Sequence, residues 1–188
     1  MEIIAGDIGG TKSWLVWARG TDYASQALCF ERLYASADFA DAGSLLQQFM
    51  RDAQMQATSQ SIAQTCLTLA LPGAVYSQQA KLTNLGWTLD AVDLQTRLGV
   101  KTVHFINDFQ ASATGVTTLT ASDLLALNPQ PVETLGVRAI TGAGTGLGFS
   151  VDDRGRARVL SHVCHRGWPC RFRPGQWAAI ALTRVYPA

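Results

Sequence analysis

Apolar residues along the first half of the chain fall into short runs punctuated by glycine, proline and polar clusters, a pattern of strands with occasional helices between them. Glu2 to Gly6 and Trp14 to Ala18 are two such runs, rich in Ile, Val and Trp, with Gly9, Gly10, Thr11 and Lys12 between them. A strand, a tight turn and a returning strand are predicted. Ala27 to Leu33 reads as a third strand. From Asp41 to about Ala57 the spacing changes, and Leu45, Leu46, Phe49, Met50 and Ala53 recur as one face of a helix. Thr65 to Leu71 is a buried strand stopped by Pro72 and Gly73. Asp90 is placed to cap a short helix carrying Val92, Leu94 and Leu98, and Thr102 to Ile106 is a strand ending at Asn107 and Asp108. Three strands, a helix, a strand, a helix and a strand predict an α/β layer on a mixed sheet. Between Thr117 and Glu133 the pattern weakens into loop-like Thr, Ser, Asn and Pro. Val137 to Thr141, the turn GAGTGLG, and Phe149 to Val151 then repeat the strand–turn–strand device.

Composition narrows what these elements can do. The chain has 188 residues, 47% of them apolar, enough for one ordinary core and a fragment of a second. Lys and Arg number 15 against 14 Asp and Glu, a formal charge of +1, so no global field favours nucleic acid or an anionic membrane, and neither is expected as a partner. The opening MEIIAGDIGG has no basic n-region, and no segment approaches the ~18 apolar residues of a membrane span; a cytoplasmic protein is expected. Cys29, Cys66, Cys164 and Cys170 lack the spacing of a zinc site. Cys29 and Cys66 read as small strand hydrophobes.

Chemistry enters with the repeated glycine turns. In GDIGGTKSWLVW an acidic residue, Asp7, ends a strand before Gly9, Gly10 and Thr11. The backbone there can approach a ligand closely, with N–H groups and a hydroxyl facing outward, a surface that suits phosphate oxygens. Asp7 is a candidate for holding hydrated Mg²⁺, which prefers one or two carboxylates plus water and phosphate. Gly142 to Gly148 repeats the device with Thr145 as its hydroxyl. Neither turn has the GKS or GKT of a Walker A, and neither opens a helix as a dinucleotide fingerprint does. Each taken alone is compatible with a plain hairpin; the two together point to a nucleotide gripped from both sides. In FINDFQASATGV, a strand delivers Asn107 and Asp108 to its carboxyl end, the edge at which α/β sheets bind ligands. A carboxylate and an amide there suit a general base and a hydroxyl-binding group for phosphoryl transfer to an alcohol. The alternative is a simple cap on the next helix.

Four segments carry a resemblance. GDIGGTK resembles the first phosphate motif of bacterial glucokinases, TNLGWTLD their segment before the sugar site, INDFQA their catalytic strand end, and GAGTGLGFS their second phosphate motif, with matching order and spacing from Ile3 to about Leu160. The resemblance implies a mixed-sheet, ribonuclease-H-like (actin-like ATPase) domain followed by an incomplete second α/β domain. Residues 1–108 would be the small domain, 109–160 the start of the large one, and 161–188 a divergent tail. It implies ATP and Mg²⁺ as cofactors, glucose or a similar hexose as substrate, and a homodimer for the full-length form. Asp108 becomes the base that activates the glucose 6-hydroxyl, and Asn107 a sugar ligand. Gly10, Thr11, Gly144 and Thr145 contact phosphates, with Asp7, Gly9, Lys12, Gly142 and Gly146 completing the nucleotide set and Asp7 facing the metal. A related hexose or N-acetylsugar kinase, or a catalytically silent nucleotide-binding protein, are the alternatives.

The tail departs from that pattern. Where the family has a segment resembling EGGHADFAP, this chain has RGWPCRFRP from Arg166 to Pro174, in which no helix or strand pattern is legible. Permitted codons for it, CGA GGG TGG CCA TGC CGA TTT CGC CCC followed by G, read one base later as GAG GGT GGC CAT GCC GAT TTC GCC CCG, which encodes EGGHADFAP. A frameshift between about Ser161 and Arg166 is therefore expected, and the chain as written is expected to be inactive and poorly ordered at its end. A divergent tail with a binding role of its own is the other reading. His162 and His165 receive no role, and Phe109 is a candidate for an interface with further structure.

Overall fold

The Ile- and Val-rich runs at the start of the chain pair with one another, and the rest of the first sheet grows from them. The computed structural model describes residues 2–20, 27–56, 62–116, 118–128, 138–143, 147–153, 158–162 and 178–181. In it β1 (Glu2–Ile8), β2 (Lys12–Arg19) and β3 (Ala27–Ala35) form an antiparallel meander. The helix α1 (Ala42–Gln56) follows, and β4 (Thr65–Leu71) returns parallel to β1. A hairpin of β5 (Gln79–Leu82) and β6 (Trp87–Asp90) leads into α2 (Ala91–Leu98), after which β7 (Thr102–Asn107) lies parallel to β4. The sheet order β3-β2-β1-β4-β7 is the mixed sheet that the pattern predicted. Contacts divide the chain into two compact units, Met1–Asp108 and Phe109–Ala188.

One face of the first sheet is packed. Leu45, Leu46, Phe49, Met50 and Ala53 of α1 are all buried, and they share a core with Ile4, Ile8, Leu15, Trp17, Leu67, Leu69 and Leu71 from alternate strand positions. Asp41 caps α1 by accepting from Ser44 N at 2.6 Å, and its other oxygen takes Arg97 Nη1 of α2 at 2.9 Å, tying the two helices together. These bonds, the Arg97 one foremost, hold the Asp41 carboxyl below its ordinary range. Asp90 caps α2 as expected, accepting from Val92 N and Asp93 N at 2.8 and 3.1 Å. Gly99 closes α2 with φ +68, a conformation that glycine adopts without strain.

Several expectations are corrected. Val92 is 73% exposed, because the cap at Asp90 sets the phase of α2 so that Ala91 and Leu94 face the core. Asp7 does not end its strand: β1 runs on to Ile8, with Asp7 in register with Trp14 and Ala70. Cys29 lies on β3 but is exposed, whereas Cys66 is half-buried on β4.

The second unit begins within α3 (Asp108–Val116), at Phe109. The loop-like stretch contains a 3-10 turn at Ala121–Asp123, where the Thr120 and Asp123 side chains and backbone form a capping box. β8 (Arg138–Ala143), β9 (Leu147–Asp153), β10 (Arg158–His162) and β11 (Ala178–Ala181) make a sheet of order β10-β9-β8-β11. The last of these lies beyond the Arg166–Pro174 stretch: Ala178–Ala181 pairs in parallel with Arg138–Thr141. Arg166 to Pro174 and His165 lie outside the described residues.

Candidate active site

The first glycine turn is held from beneath by serines. Gly9 N donates to Lys12 O at 3.0 Å, which closes the turn between β1 and β2. A Cβ on Gly9 would stand 2.7 Å from that same Lys12 carbonyl oxygen, so only glycine fits. Ser36, in the 3-10 turn after β3, donates from Oγ to Gly9 O at 2.7 Å, and its N–H donates to Thr11 O at 3.0 Å. Its hydroxyl also meets Ser13 Oγ at 2.8 Å, and both serines are fully buried. Ser36 has one hydroxyl proton, given to Gly9 O, so Ser13 is the donor of that pair. Because a trans peptide points its C=O and N–H in opposite directions, drawing Gly9 O towards Ser36 turns the N–H of Gly10 away from Ser36. Thr11 and Lys12 are exposed beside it. The result is a fixed turn presenting backbone donors and a hydroxyl, the surface that phosphate oxygens recognise.

Nothing in the sequence marked Ser13 and Ser36 as members of this site. Their contacts span 23 and 27 residues, and nothing local distinguishes these serines from others in the chain. Asn84, at the tip of the β5–β6 hairpin and inside the TNLGWTLD segment, received no role of its own from the sequence: a Cβ on Gly10 would stand 3.4 Å from Asn84 Cβ and Nδ2.

Parallel pairing brings the second group of candidates to the same sheet edge. β1, β4 and β7 run in one direction, with Asp7 opposite Ala70, Ala70 opposite Ile106 and Leu71 opposite Asn107. Neighbouring strands are about 4.8 Å apart, so the Asp7 end of β1 lies about 10 Å from the Asn107 end of β7, with β4 between. The carboxyl ends of parallel strands are where open α/β sheets hold ligands. Asp7 is exposed on the face away from α1. Asn107 is only 4% exposed and donates from Nδ2 to Gly73 O at 2.8 Å, which anchors the loop after β4 to the end of β7. Asp108 follows as the first residue of α3 and is half-buried.

In the second unit, Gly142 lies in β8, where a Cβ would stand 3.3 Å from the Phe109 ring. Phe109 thus packs on the strand that leads into the second turn. Gly144, Thr145 and Gly146 lie outside the described residues. Among the described residues no three His, Cys, Asp or Glu side chains gather in a metal-binding cluster. A single carboxylate such as Asp7 is compatible with magnesium, which needs few protein ligands when phosphates and water complete its shell.

A mixed sheet with helices and turn-borne donors at its parallel strand ends is the actin-like fold used by sugar kinases. Glucokinase from an Antarctic psychrotroph matches with a TM-score of 0.71 at 24% identity, over 86% of this chain and 49% of that one. Glucokinase from Balamuthia mandrillaris, solved in complex with glucose, matches with a TM-score of 0.64 at 20% identity, over 86% of this chain and 47% of that one. The glucokinase family model matches residues 4–168, reaching past Leu160. The chain belongs to the glucokinase family. It is 39% identical to the glucokinase of Nostoc punctiforme over 149 residues, 78% of this chain and 41% of that protein. It is 37% identical to the glucokinase of Synechocystis over 188 residues, 96% of this chain and 52% of that protein. The chain spans about half the length of these relatives.

No helix among the described residues is long and apolar enough to cross a membrane.

Proposed function

We propose that the intact protein transfers the terminal phosphoryl group of ATP to the 6-hydroxyl of glucose, with Asp108 as general base. The observation that carries this reading is the register of β1, β4 and β7, which sets the serine-pinned turn at Gly9–Thr11 and the pair Asn107–Asp108 on one carboxyl edge. Asp108 takes the proton as the sugar oxygen bonds to the terminal phosphorus, and the bond from that phosphorus to the bridging oxygen of ADP breaks. Asn107 binds sugar hydroxyls, while its bond to Gly73 O fixes where the sugar rests. Gly9, Gly10, Thr11 and Lys12 hold the polyphosphate. Gly142, Gly144, Thr145 and Gly146 form the second phosphate motif. Asp7 would hold Mg²⁺, which would supply neutralisation of phosphate charge. Such a site works through positioning and electrostatics, with little covalent chemistry for the protein to perform.

The tail belongs to the same proposal: residues after Leu160 read in the shifted frame supply the missing EGGHADFAP segment. The test expresses the 188-residue chain beside a version extended in that frame, with hexose phosphorylation as readout. Activity in the extended protein and none in the shorter chain supports both parts. In the extended protein, Asp108→Asn lowers kcat by several orders of magnitude with a much smaller effect on glucose affinity, since the loss falls on the transition state. A variant that keeps a tenth of the parent turnover removes Asp108 from this role. Robust activity in the 188-residue chain removes the frameshift.

A further inference from the structure

We propose that Asn84 is a further ligand of the nucleotide polyphosphate, donating from its side-chain amide beside Gly10. This deepens the proposed function and rests on the reading of the Gly9–Thr11 turn as a phosphate site. Asn84 stands in the turn Thr83–Gly86 between β5 and β6, a hairpin outside the five-stranded sheet. Its base is rigid: Leu82 and Trp87 pair across the strands and are 3% and 4% exposed, and Leu85 N donates to Leu82 O at 3.1 Å. Gly86 completes the turn with φ +69, which glycine adopts without strain. This base carries the tip of the hairpin to the glycine turn, far away in sequence, and Asn84 Nδ2 lies 3.4 Å from the position of a Cβ on Gly10.

Two features make the contact more than packing. The Asn84 amide nitrogen comes as close to the turn as its own Cβ does, both 3.4 Å from the position of a Cβ on Gly10, an ordinary contact distance. The amide is exposed, and no described residue forms a hydrogen bond with it. A primary amide brings two N–H donors, and at a turn that already faces outward with backbone donors the complementary ligand is an anion with several acceptor oxygens. The sugar-side residues stand at β7, across β4 from the turn, so the phosphate end of the nucleotide is the partner within reach of Asn84.

The test is equilibrium binding of adenosine, ADP and ATP, each with Mg²⁺, to the 188-residue chain and its variants, with circular dichroism as a check on folding. Asn84→Ala is expected to weaken ADP or ATP about tenfold, as loss of one hydrogen bond to a charged group does, and to leave adenosine unchanged. Asn84→Asp keeps the shape, places a carboxylate against the phosphates, and is expected to weaken binding further. Parent-like affinities in both variants overturn the assignment of Asn84 alone. Weakened glucose binding with unchanged nucleotide binding also overturns it, making Asn84 a sugar ligand. A parent chain that is folded and prefers neither ADP nor ATP to adenosine overturns the phosphate reading of the turn, and the Asn84 proposal with it.

Discussion

The Gln78 side chain grips the backbone of Phe105 like a neighbouring strand. Phe105 N donates to Gln78 Oε1 at 2.7 Å, and Gln78 Nε2 donates back to Phe105 O at 3.4 Å. β7 is the outer strand of its five-stranded sheet, so this one amide supplies hydrogen bonds to an edge with no neighbouring strand in that sheet, two residues before Asn107. Gln78 does so from a left-handed conformation, φ 60, next to Ser77 at φ 48, in a turn closed by reciprocal bonds between Tyr76 and Gln79. Such backbone costs about 1 kcal/mol or more at a residue with a Cβ. Gln78→Ala loses the grip and keeps the strain, whereas Gln78→Gly loses the grip and relieves the strain. Denaturant unfolding should therefore rank stability as parent, then Gln78→Gly, then Gln78→Ala, with Ala about 1–2 kcal/mol below parent. Equal losses in the two variants would mean that the left-handed backbone carries no cost.

Ser36 should matter to both stability and nucleotide. Removing its hydroxyl leaves Gly9 O and Ser13 Oγ without the partner they have inside the protein, a loss of about 1–3 kcal/mol. Ser36→Ala also frees Gly9 O to rotate, and Gly10 N–H with it. A lower unfolding midpoint together with weakened ATP binding is expected. Weakened stability with parent-like ATP affinity would show that the turn keeps its shape without the serine.

Much of this was legible in the chain because local pattern and tertiary demand agree. Thr65–Leu71 is a strand with the bounds expected, since an apolar run ending in Pro-Gly has little alternative. The five apolar positions of α1 are buried together, as their spacing requires. The hairpin β5–β6 was not read as structure because each strand has four residues and alternates only twice, too short for periodicity to speak. At the site, Gly9–Gly10–Thr11 and Asn107–Asp108 stood out because they break local pattern. Ser13, Ser36 and Gln78 did not, because each acts on backbone or a side chain far away in sequence, which pairing and packing alone bring near; Asn84 lay in the TNLGWTLD segment, which carried a resemblance but no role for any one residue.

A pH signature should come from the outer side of α1. Asp52 accepts from Tyr34 Oη at 2.7 Å, Gln48 Nε2 at 2.8 Å and Arg32 Nη1 at 2.8 Å. The Tyr34 bond, then those from Gln48 and the Arg32 charge, hold its carboxyl below the ordinary range. Burial, then the bond to Asp52, pushes the Tyr34 phenol well above its ordinary value. A depressed carboxylate contributes stability that is fully present above its unfolded value of about 3.9 and is lost as pH falls through the lower folded value. A raised phenol contributes stability that is present below about pH 10 and is lost as pH rises through its folded value. Tyr34→Phe should therefore destabilise the protein at neutral pH, flatten the fall in stability below about pH 4, and move the Asp52 titration upward. NMR titration of the Asp52 carboxyl reads this directly; an unmoved titration would assign the shift to Gln48 and Arg32.

The two glycine turns make a joint prediction. Both are proposed for phosphate on their glycines and hydroxyls, and the first has its Thr11 exposed. If both bind polyphosphate, Thr11→Ala and Thr145→Ala in the frame-extended protein each raise the KM for ATP or lower kcat, while the KM for glucose stays close to the parent value. The two losses should also couple. Once one hydroxyl is gone the phosphates settle differently against the other, so the double variant departs from the product of the single effects, as groups sharing one ligand do. Steady-state kinetics with ATP and glucose varied in turn provide the measurement. A change in glucose KM alone would move the affected turn to the sugar side, and unchanged ATP kinetics in both single variants would return the turns to plain hairpins.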